Sequence, residues 1–297
     1  MRLGQRVCVA TLLLLAPAAF GQTLIREDRT VASDSAEGWA MRYFAGTTLM
    51  TSFGETPQLA PWRWSAALEL GSIPHLSDEQ QHVGFGGSKR EDFNKSPVFG
   101  RLRLALGLPG EWVAEVGFTP PLQLAGSQAR TVFAGAIERR LIDGEPFSLS
   151  VRALGQLGKV DGDITCPRGI SGGFDASNPL GCVVPSQDTF TADYYGVDAT
   201  AGWSTGPWQL YASGGIVRAR LEVQVDAFVG LTHDRSKIKS NSNLPWLTFG
   251  ARYAFDPRWS AGAEMLYVPL DARRPPDAPT VSDPLWSVRG QLRYAFD

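Results

Sequence analysis

A period of two in hydrophobicity runs along most of this 297-residue chain and constrains its fold more than any other feature. Within residues 62–71, for example, Leu68 and Leu70 flank Glu69. Successive side chains of a strand point to opposite faces, so this alternation predicts strands with one apolar and one polar face. Ten segments show the pattern, most of them close to the roughly 9–11 residues that a tilted strand needs to cross a bilayer. They are 62–71, 98–108, 112–118, 129–141, 147–157, 194–203, 208–216, 247–255, 259–267 and 286–296.

The connections between these segments alternate in length. The short turns are 109–110, 143–146, 205–207 and 256–258. The longer stretches are 72–97, 158–189, 218–245 and 269–285, and 119–128 is intermediate. Short turns at one end and long loops at the other are typical of an antiparallel, up-and-down transmembrane β-barrel. The sequence therefore predicts an all-β barrel of about ten strands over residues 61–297, with both of its ends on the short-turn side.

Aromatic residues cluster next to the short turns, at the first or last position of a predicted strand. Their rings prefer the level of lipid headgroups, where an apolar body and a polar rim are both satisfied. We expect them to form an aromatic girdle at one edge of the barrel. The girdle residues are Trp62, Trp112, Phe147, Trp203, Trp208, Phe255, Trp259 and Phe296. Trp246 and Trp286 open strands at the opposite edge.

The first 21 residues predict a secretory signal peptide. Arg2 and Arg6 precede an apolar run that ends in small residues, with cleavage expected after Gly21. Removal of this segment takes Cys8 away and leaves Cys166 and Cys182 in an exported chain, so we expect a disulfide between them. Beyond residue 21, no apolar run approaches the 18 residues of a membrane-spanning helix.

The chain resembles bacterial outer-membrane β-barrel proteins over roughly residues 61–297. Such proteins end on a strand with alternating outward residues and a terminal aromatic residue, and here Leu292, Tyr294 and Phe296 follow that phase. Asp297 departs from the pattern by one residue. The resemblance implies outer-membrane location, periplasmic turns and extracellular loops, contact with lipid, and recognition of the last strand by the barrel insertion machinery. A secreted β-sandwich also alternates, but the girdle and the unequal loops favour the barrel.

Residues 22–60 precede the barrel and leave two arrangements open. Trp39, Tyr43 and Met50 share a helical face, whereas Trp39, Met41 and Tyr43 would also suit a strand. The first interpretation is a periplasmic extension or a plug in the lumen. The second is a pair of additional strands, which would make twelve.

Charged residues occupy inward positions near the middle of the predicted strands. They form either a charged constriction that selects solutes or an ion-paired filling of a narrow barrel. The near balance of signs favours pairing, and the guanidinium group of arginine suits bidentate contact with carboxylates. The residues are Glu69, Arg101, Arg103, Glu115, Glu138, Arg152, Asp198, Arg252, Glu264, Arg289 and Arg293. We expect Glu69 to lie opposite Arg101.

Nothing in the sequence predicts a catalytic, metal or cofactor site. The three histidines, His75, His82 and His233, fall in predicted loops, and the Asp161–Asp163 stretch lacks a full calcium-loop pattern. A formal net charge of -2 argues against nucleic acid as a partner. We therefore expect a non-enzymatic barrel that provides a narrow passive pathway for small solutes. The alternative is a surface platform for adhesion or interaction, and an outer-membrane enzyme is a distant third.

The loop regions supply two further expectations. Cys166 and Cys182 would close a stapled loop that either covers the mouth or protects itself from proteolysis. In residues 218–225 the apolar positions change parity relative to 208–216. That change predicts a bulge or a hairpin that extends above the membrane.

Overall fold

The computed structural model describes residues 23–54, 59–124, 126–173, 178 and 181–296. The predicted signal peptide and Asp297 lie outside the described residues. Ten long strands form the main sheet. They are β1 (Trp64–Ser72), β2 (Val98–Leu108), β3 (Trp112–Phe118), β4 (Ser127–Asp143), β5 (Phe147–Gly162), β6 (Asp188–Thr205), β7 (Trp208–Gln224), β8 (Lys237–Ala254), β9 (Trp259–Val268) and β10 (Leu285–Ala295).

Each strand is antiparallel to the next, and β10 pairs with β1, which closes the barrel. The register at the closure places Gly290 opposite Leu70 and Leu292 opposite Leu68. Closure leaves the ten-strand sheet without open edges along most of its circumference, as a bilayer requires. The predicted ten-strand antiparallel barrel is confirmed.

The predicted alternation sets the two faces of the wall. In β1, Leu68 and Leu70 point outward and are about half exposed, whereas Glu69 between them is fully buried. The same pattern of exposed apolar and buried polar residues continues through β2. The outer surface is therefore apolar and the inner surface polar over the height of β1 and β2.

The parity change in residues 218–225 arises because the inward side chains become apolar there. No bulge is involved. β7 and β8 stay in unbroken register from Trp208–Tyr253 to Gln224–Lys237, so they form one long hairpin. Val217, Ala219 and Leu221 are buried and point inward. The outward residues at this height are charged, because the hairpin has risen above the apolar outer surface. The hairpin expectation was right, and the bulge expectation was wrong.

Residues 23–54 begin at the long-loop end and run into the barrel. Thr23–Ile25 pair with Thr232–Asp234, and Asp28–Thr30 pair with Lys237–Lys239. Helix α1 (Ala36–Thr47) follows, with Ser35 as its N-cap. The cap is a hydrogen bond of 3.1 Å from the Gly38 amide to the Ser35 hydroxyl. The chain leaves at the short-turn end, where the Trp62 amide donates to the Gly107 carbonyl.

Residues 36–54 therefore lie within the lumen, and we call them the lumen segment. Trp39, Ala45, Leu49, Met50 and Phe53 are all fully buried there. Because residues 36–47 are helical, they add no strand pair to the barrel. Residues 23–30 lie at the long-loop end, although both ends of the barrel itself are at the short-turn end.

Short elements complete the loops. Helical turns cover Asp78–Gln81 and Gly84–Gly87. Short strands cover Thr23–Ile25, Asp28–Thr30, His82–Val83, Lys89–Arg90, Gln123–Leu124, Ala227–Val229, Thr232–Asp234, Asp271–Ala272 and Val281–Ser282. Among the described residues, no helix has both the length and the apolar character needed to span a bilayer.

A disulfide joins Cys166 to Cys182, as predicted. The stapled loop packs on the tip of the β7–β8 hairpin. There the Val183 amide donates to the Phe228 carbonyl at 2.9 Å, and Cys182 forms a bridge with Val229. Both cysteines are buried against Val225 and Ala227.

Candidate functional site

The outer edge of the barrel at the short turns carries the predicted aromatic residues. Seven of them are clearly exposed to the outside, with exposed fractions from 42% for Trp259 to 67% for Trp62, and Trp112 is half-exposed. Tyrosines extend this ring of aromatic side chains, since Trp208 contacts Tyr253 and Trp259 contacts Tyr294, both at 4.8 Å between ring centroids.

The opposite edge differs from expectation at one of its two tryptophans. Trp286 is 52% exposed and packs on Tyr267 with ring centroids 4.5 Å apart. Trp246, in contrast, is buried and points inward. The expectation that Trp246 lies at this outer edge was wrong. At this height, β8 directs apolar side chains toward the lumen segment as well as toward lipid.

The predicted inward charges come together in the lower half of the lumen. Ten of the eleven are buried, and Arg252 is half-buried. Glu69 lies at the centre of one group, with its carboxylate oxygens 3.5 Å from Arg101, 3.3 Å from Arg103 and 3.8 Å from Arg289. Glu69 is directly opposite Arg101 in the β1–β2 register.

A second group adds charges from three more strands, β3, β5 and β6. Glu115 accepts a bidentate interaction from Arg103 at 2.8 and 2.7 Å. It also lies 3.7 Å from Arg152 and 4.0 Å from Arg293. Arg152 in turn pairs with Asp198 at 2.7 Å. Carboxylates thus bridge arginines from different strands, and the lower lumen is filled with paired charge.

The two remaining acids contact other groups. Glu138 is buried opposite Arg152 in the β4–β5 register. Glu264 lies opposite Arg289 and accepts hydrogen bonds from Thr51 and, at 3.1 Å, from Tyr211. Both acids therefore belong to the same polar layer.

The arginines also hold the lumen segment, which the sequence did not predict. Arg289 donates to the carbonyls of Gly46, Thr47 and Leu49 at 2.6–3.0 Å. Arg101 donates to the Thr48 carbonyl at 2.7 Å. The last carbonyls of a helix have no partners within it and carry partial negative charge, so these cations suit the end of α1. Arginine on facing strands is the only sequence signal that could have indicated this.

An apolar cavity of about 1030 Å³ lies above this polar layer, between α1 and the barrel wall. Helix α1 contributes Ala40, Met41 and Phe44 to it. Apolar residues of the barrel wall and of the loop between β1 and β2 contribute further lining residues, among them Phe93, Phe99, Val132, Phe190 and Ala192. Nothing in the alternation of any one strand predicted this cavity, because it exists only between the wall and the helix.

A layer of ion pairs lies at the long-loop end of the cavity. Lys89 pairs with Glu91 at 2.8 Å and donates to the Thr165 carbonyl at 2.8 Å. Arg29 pairs with Glu37 at 3.0 Å. Burial raises the pKa of the Glu91 carboxyl to about 7, although Lys89 opposes that shift. This charged layer (Arg29, Glu37, Lys89 and Glu91) connects the N-terminal segment to two loops.

The wall beside the cavity is incomplete next to β3. The last pair between β2 and β3 is Leu102 with Phe118, although β2 continues for four residues to Val98. β3 ends where Pro120 and Pro121 follow, and proline has no amide hydrogen to donate to a strand ladder. Residues 98–102 of β2, and Thr119, Pro120 and Leu122 after β3, line the cavity.

The histidines lie outside the ten barrel strands. His233 contacts Asp226, and not the adjacent Asp234, at 2.6 Å. Its ring stacks on Phe228 at the hairpin tip. His82 contacts the Asp78 carbonyl. Within the described ranges no cluster of three or more potential metal ligands occurs.

A closed ten-strand barrel with an apolar outer surface, tight turns at one end and long loops at the other leaves one class of protein. The chain is a bacterial outer-membrane β-barrel. Its short turns are periplasmic and its long loops extracellular, so the cavity lies in the outer half of the barrel.

No protein-family model and no curated protein matches this barrel in sequence. It is similar in structure to the outer membrane protease OmpT from Escherichia coli, with 10% identity and a TM-score of 0.44, over 82% of this chain and 99% of OmpT. For Neisserial surface protein A the values are 10% and 0.31, over 78% and 97% of the two chains. For the Pseudomonas putida toluene transporter TodX they are 11% and 0.33, over 92% and 78%.

Proposed function

We propose that this barrel is a passive pathway for small apolar molecules, which it holds in the cavity beside α1. The observation that carries the proposal is the cavity itself, which is mostly apolar and lies directly above a polar layer. Binding sites for small molecules are usually concave, mostly apolar and roughly 300–1,000 Å³ in volume. A cavity of about 1030 Å³ is large enough for one such molecule.

The lower lumen argues against a water-filled axial route. Arg101, Arg103 and Arg289 are almost completely buried, and the lumen segment occupies the space between them. A barrel of this size is close to those that side chains alone can fill. A molecule that reaches the cavity therefore meets paired charges below it, which oppose its passage along the barrel axis.

The test uses a decane that carries a photoreactive diazirine, with the protein in lipid nanodiscs. Irradiation and peptide mapping should place label on Met41, Phe44 and Val132 of the wild type. The Ala40→Phe variant adds a ring to the cavity face of α1, so labelling of these residues should fall at least fivefold. Label on lipid-facing residues serves as the internal reference and should not change.

The matched control is Ala66→Phe, the same substitution on the outer face of β1, which should leave cavity labelling at the wild-type level. Both variants should keep the mobility shift between unheated and boiled samples, which reports an intact barrel. A wild type without cavity label, or one with a stable open conductance in planar bilayers, would exclude the proposal.

A second candidate, a surface platform for adhesion, is favoured by the extracellular structure. The stapled loop, the hairpin tip and Thr23–Ile25 form one hydrogen-bonded unit. This unit exposes Leu231 and Val183. If the unit is an adhesion platform, cells that produce the Leu231→Asp variant should no longer bind to a host surface. Cavity labelling of this variant should stay unchanged. Equal binding by both strains would dismiss this candidate.

We also propose that the barrel insertion machinery recognises β10. Val288 and Leu292 are exposed on its outer face, and Phe296 is exposed directly after it. Phe296→Ala should slow assembly in cells, measured by the mobility shift, and Ala295→Gly at the neighbouring position should not. Equal assembly rates for the two variants would argue against this role.

A further inference from the structure

We infer that the cavity opens sideways into the outer leaflet between β2 and β4, and that apolar molecules pass between cavity and lipid through this window. We define the window by residues 98–101 on one side and 119–122 on the other. The inference rests on the proposed function, because it names the route by which the same cavity is filled or emptied.

The strand pairing supplies the first argument. Beyond Leu102 and Phe118, the described residues show no pairing between 98–101 and the chain that follows β3. The last connection on the far side is the bond of 3.0 Å from the Thr119 amide to the Val132 carbonyl. The gap arises because β3 has only seven residues, whereas the other nine strands of the barrel have 9–18.

The cavity lining supplies the second argument, because it includes residues from both faces of the wall. Phe99 and Val132 are buried and face the lumen, whereas Leu68, Leu70 and Leu102 face outward and are 46–52% exposed. Adjacent residues of one strand point to opposite faces. The lining includes the outward Leu102 beside the inward Arg101, which indicates that the space reaches both faces of the wall at this point.

The height of the window supplies the third argument. Gly100 pairs with Leu70, and Leu70 pairs with Gly290 of β10. Trp286 lies four residues farther along β10, on the extracellular side, and marks the level of the headgroups together with Tyr267. The window is therefore below that level, within the apolar outer surface.

Proline chemistry explains how such an opening is tolerated. Unpaired backbone donors are costly in lipid, so irregular backbone at this depth is expected only where it lines a cavity. Pro120 and Pro121 have no amide hydrogens and leave no donors exposed on their side. Outward Leu122, Leu68 and Leu70 present apolar side chains to a passing molecule.

The experiment bridges the window. Val98→Cys with Leu122→Cys introduces two thiols in a mature chain whose Cys166 and Cys182 are already oxidised. A bifunctional maleimide joins the two thiols. Its spacer length is chosen so that mass spectrometry shows complete bridging. Vesicles loaded with the diazirine decane are mixed with protein-bearing nanodiscs and irradiated after short and long delays. Bridging should lower early cavity labelling at least tenfold.

The matched control bridges an intact part of the wall. Val197 and Ile216 lie opposite each other on β6 and β7 and point outward. When cysteines at these two positions are bridged, the cavity should be labelled at the same rate as in the unbridged protein. Cavity labelling at the wild-type rate in the bridged window variant would overturn the lateral route while leaving the proposed function intact. An absence of cavity labelling even in the unbridged protein would overturn the proposed function, and this inference with it.

Discussion

At the scale of single residues, the buried arginines have two kinds of partner. The carboxylates of Glu69 and Glu115 each contact three of them: Arg101, Arg103 and Arg289 for Glu69, and Arg103, Arg152 and Arg293 for Glu115. Arg101, Arg103 and Arg289 also bind carbonyls of the lumen segment. Charge in this region is compensated locally, which explains how so many ionised groups lie together out of water.

Arg103→Ala should strongly destabilise the barrel. It leaves Glu115 and Glu69 with fewer partners in a buried region, and breaking one side of a buried pair costs on the order of 3–5 kcal/mol. The measurement is urea unfolding in detergent, followed by the mobility shift between unheated and boiled samples. A lower urea midpoint is the expected result.

The control for that variant is Arg130→Ala. Arg130 pairs with Asp161 at 2.8 Å but is 60% exposed. An exposed pair contributes about 1 kcal/mol or less, so this variant should unfold close to the wild type. If Arg103→Ala and Arg130→Ala unfold alike while conductance changes in the first, a selectivity role would replace the structural one.

Glu91 predicts a pH dependence of the charged layer. Its folded pKa of about 7 exceeds its usual value of 4.5, so the folded layer binds the proton more tightly than the open one. The layer should therefore be most stable below about pH 4.5 and lose stability as the pH rises to about 7. A rise in pKa from 4.5 to about 7 corresponds to roughly a 300-fold change in the opening equilibrium.

The measurement is hydrogen exchange of residues 84–95 at pH 5 and pH 8, corrected for the intrinsic rates. Glu91→Gln cannot ionise and should make the corrected exchange nearly independent of pH. Glu79→Gln is the matched control at an exposed glutamate of the same loop and should keep the wild-type dependence. An unchanged pH dependence in Glu91→Gln would assign the effect to another group.

At the scale of elements, the strands could be predicted from the sequence, whereas a helix and a place in the lumen were only among the alternatives left open for residues 22–60. The alternation in β1 or β2 is local, because each residue faces either lipid or a polar lumen. For residues 36–54 almost every side chain is buried, so the sequence shows no difference in polarity between a buried and an exposed face. Trp246 was misplaced for the same reason, since its inner neighbours are apolar.

The fit of α1 makes a prediction at two of its glycines. A Cβ at Gly38 would lie 2.1 Å from the Ala32 carbonyl oxygen, which is backbone and cannot move freely. A Cβ at Gly46 would lie 2.8 Å from Leu285 Cδ2, the end of a flexible side chain. Gly38→Ala should therefore loosen the helix, and Gly46→Ala should have a smaller effect because the Leu285 side chain can move aside.

Limited proteolysis of the intact barrel, read by mass spectrometry, checks this pair of variants. Cleavage within residues 30–50 should rise several-fold in Gly38→Ala and little in Gly46→Ala. Equal cleavage in both would mean that the start of α1 does not position the lumen segment.

At the scale of the whole molecule, the barrel and its extracellular structure are held by different forces. Backbone hydrogen bonds close the wall, and no edge needs a covalent link. The long loops depend on packing among the stapled loop, the hairpin tip and the N-terminal strands. Loop lengths in the sequence located this layer, but its contacts join segments about 200 residues apart, which no local pattern reports.

This division predicts the effect of removing the disulfide. Closing a loop of about 15 residues contributes roughly 3 kcal/mol in the chain-entropy model, and that contribution belongs to the loop. Cys166→Ser with Cys182→Ser should still assemble and keep the mobility shift, while protease added to whole cells cleaves between residues 166 and 182. The single substitution Ser171→Ala, at a half-buried position inside the same loop, should leave that region resistant. Failure of the double variant to assemble would show that the barrel depends on the loop, because the two layers would then fold as one unit.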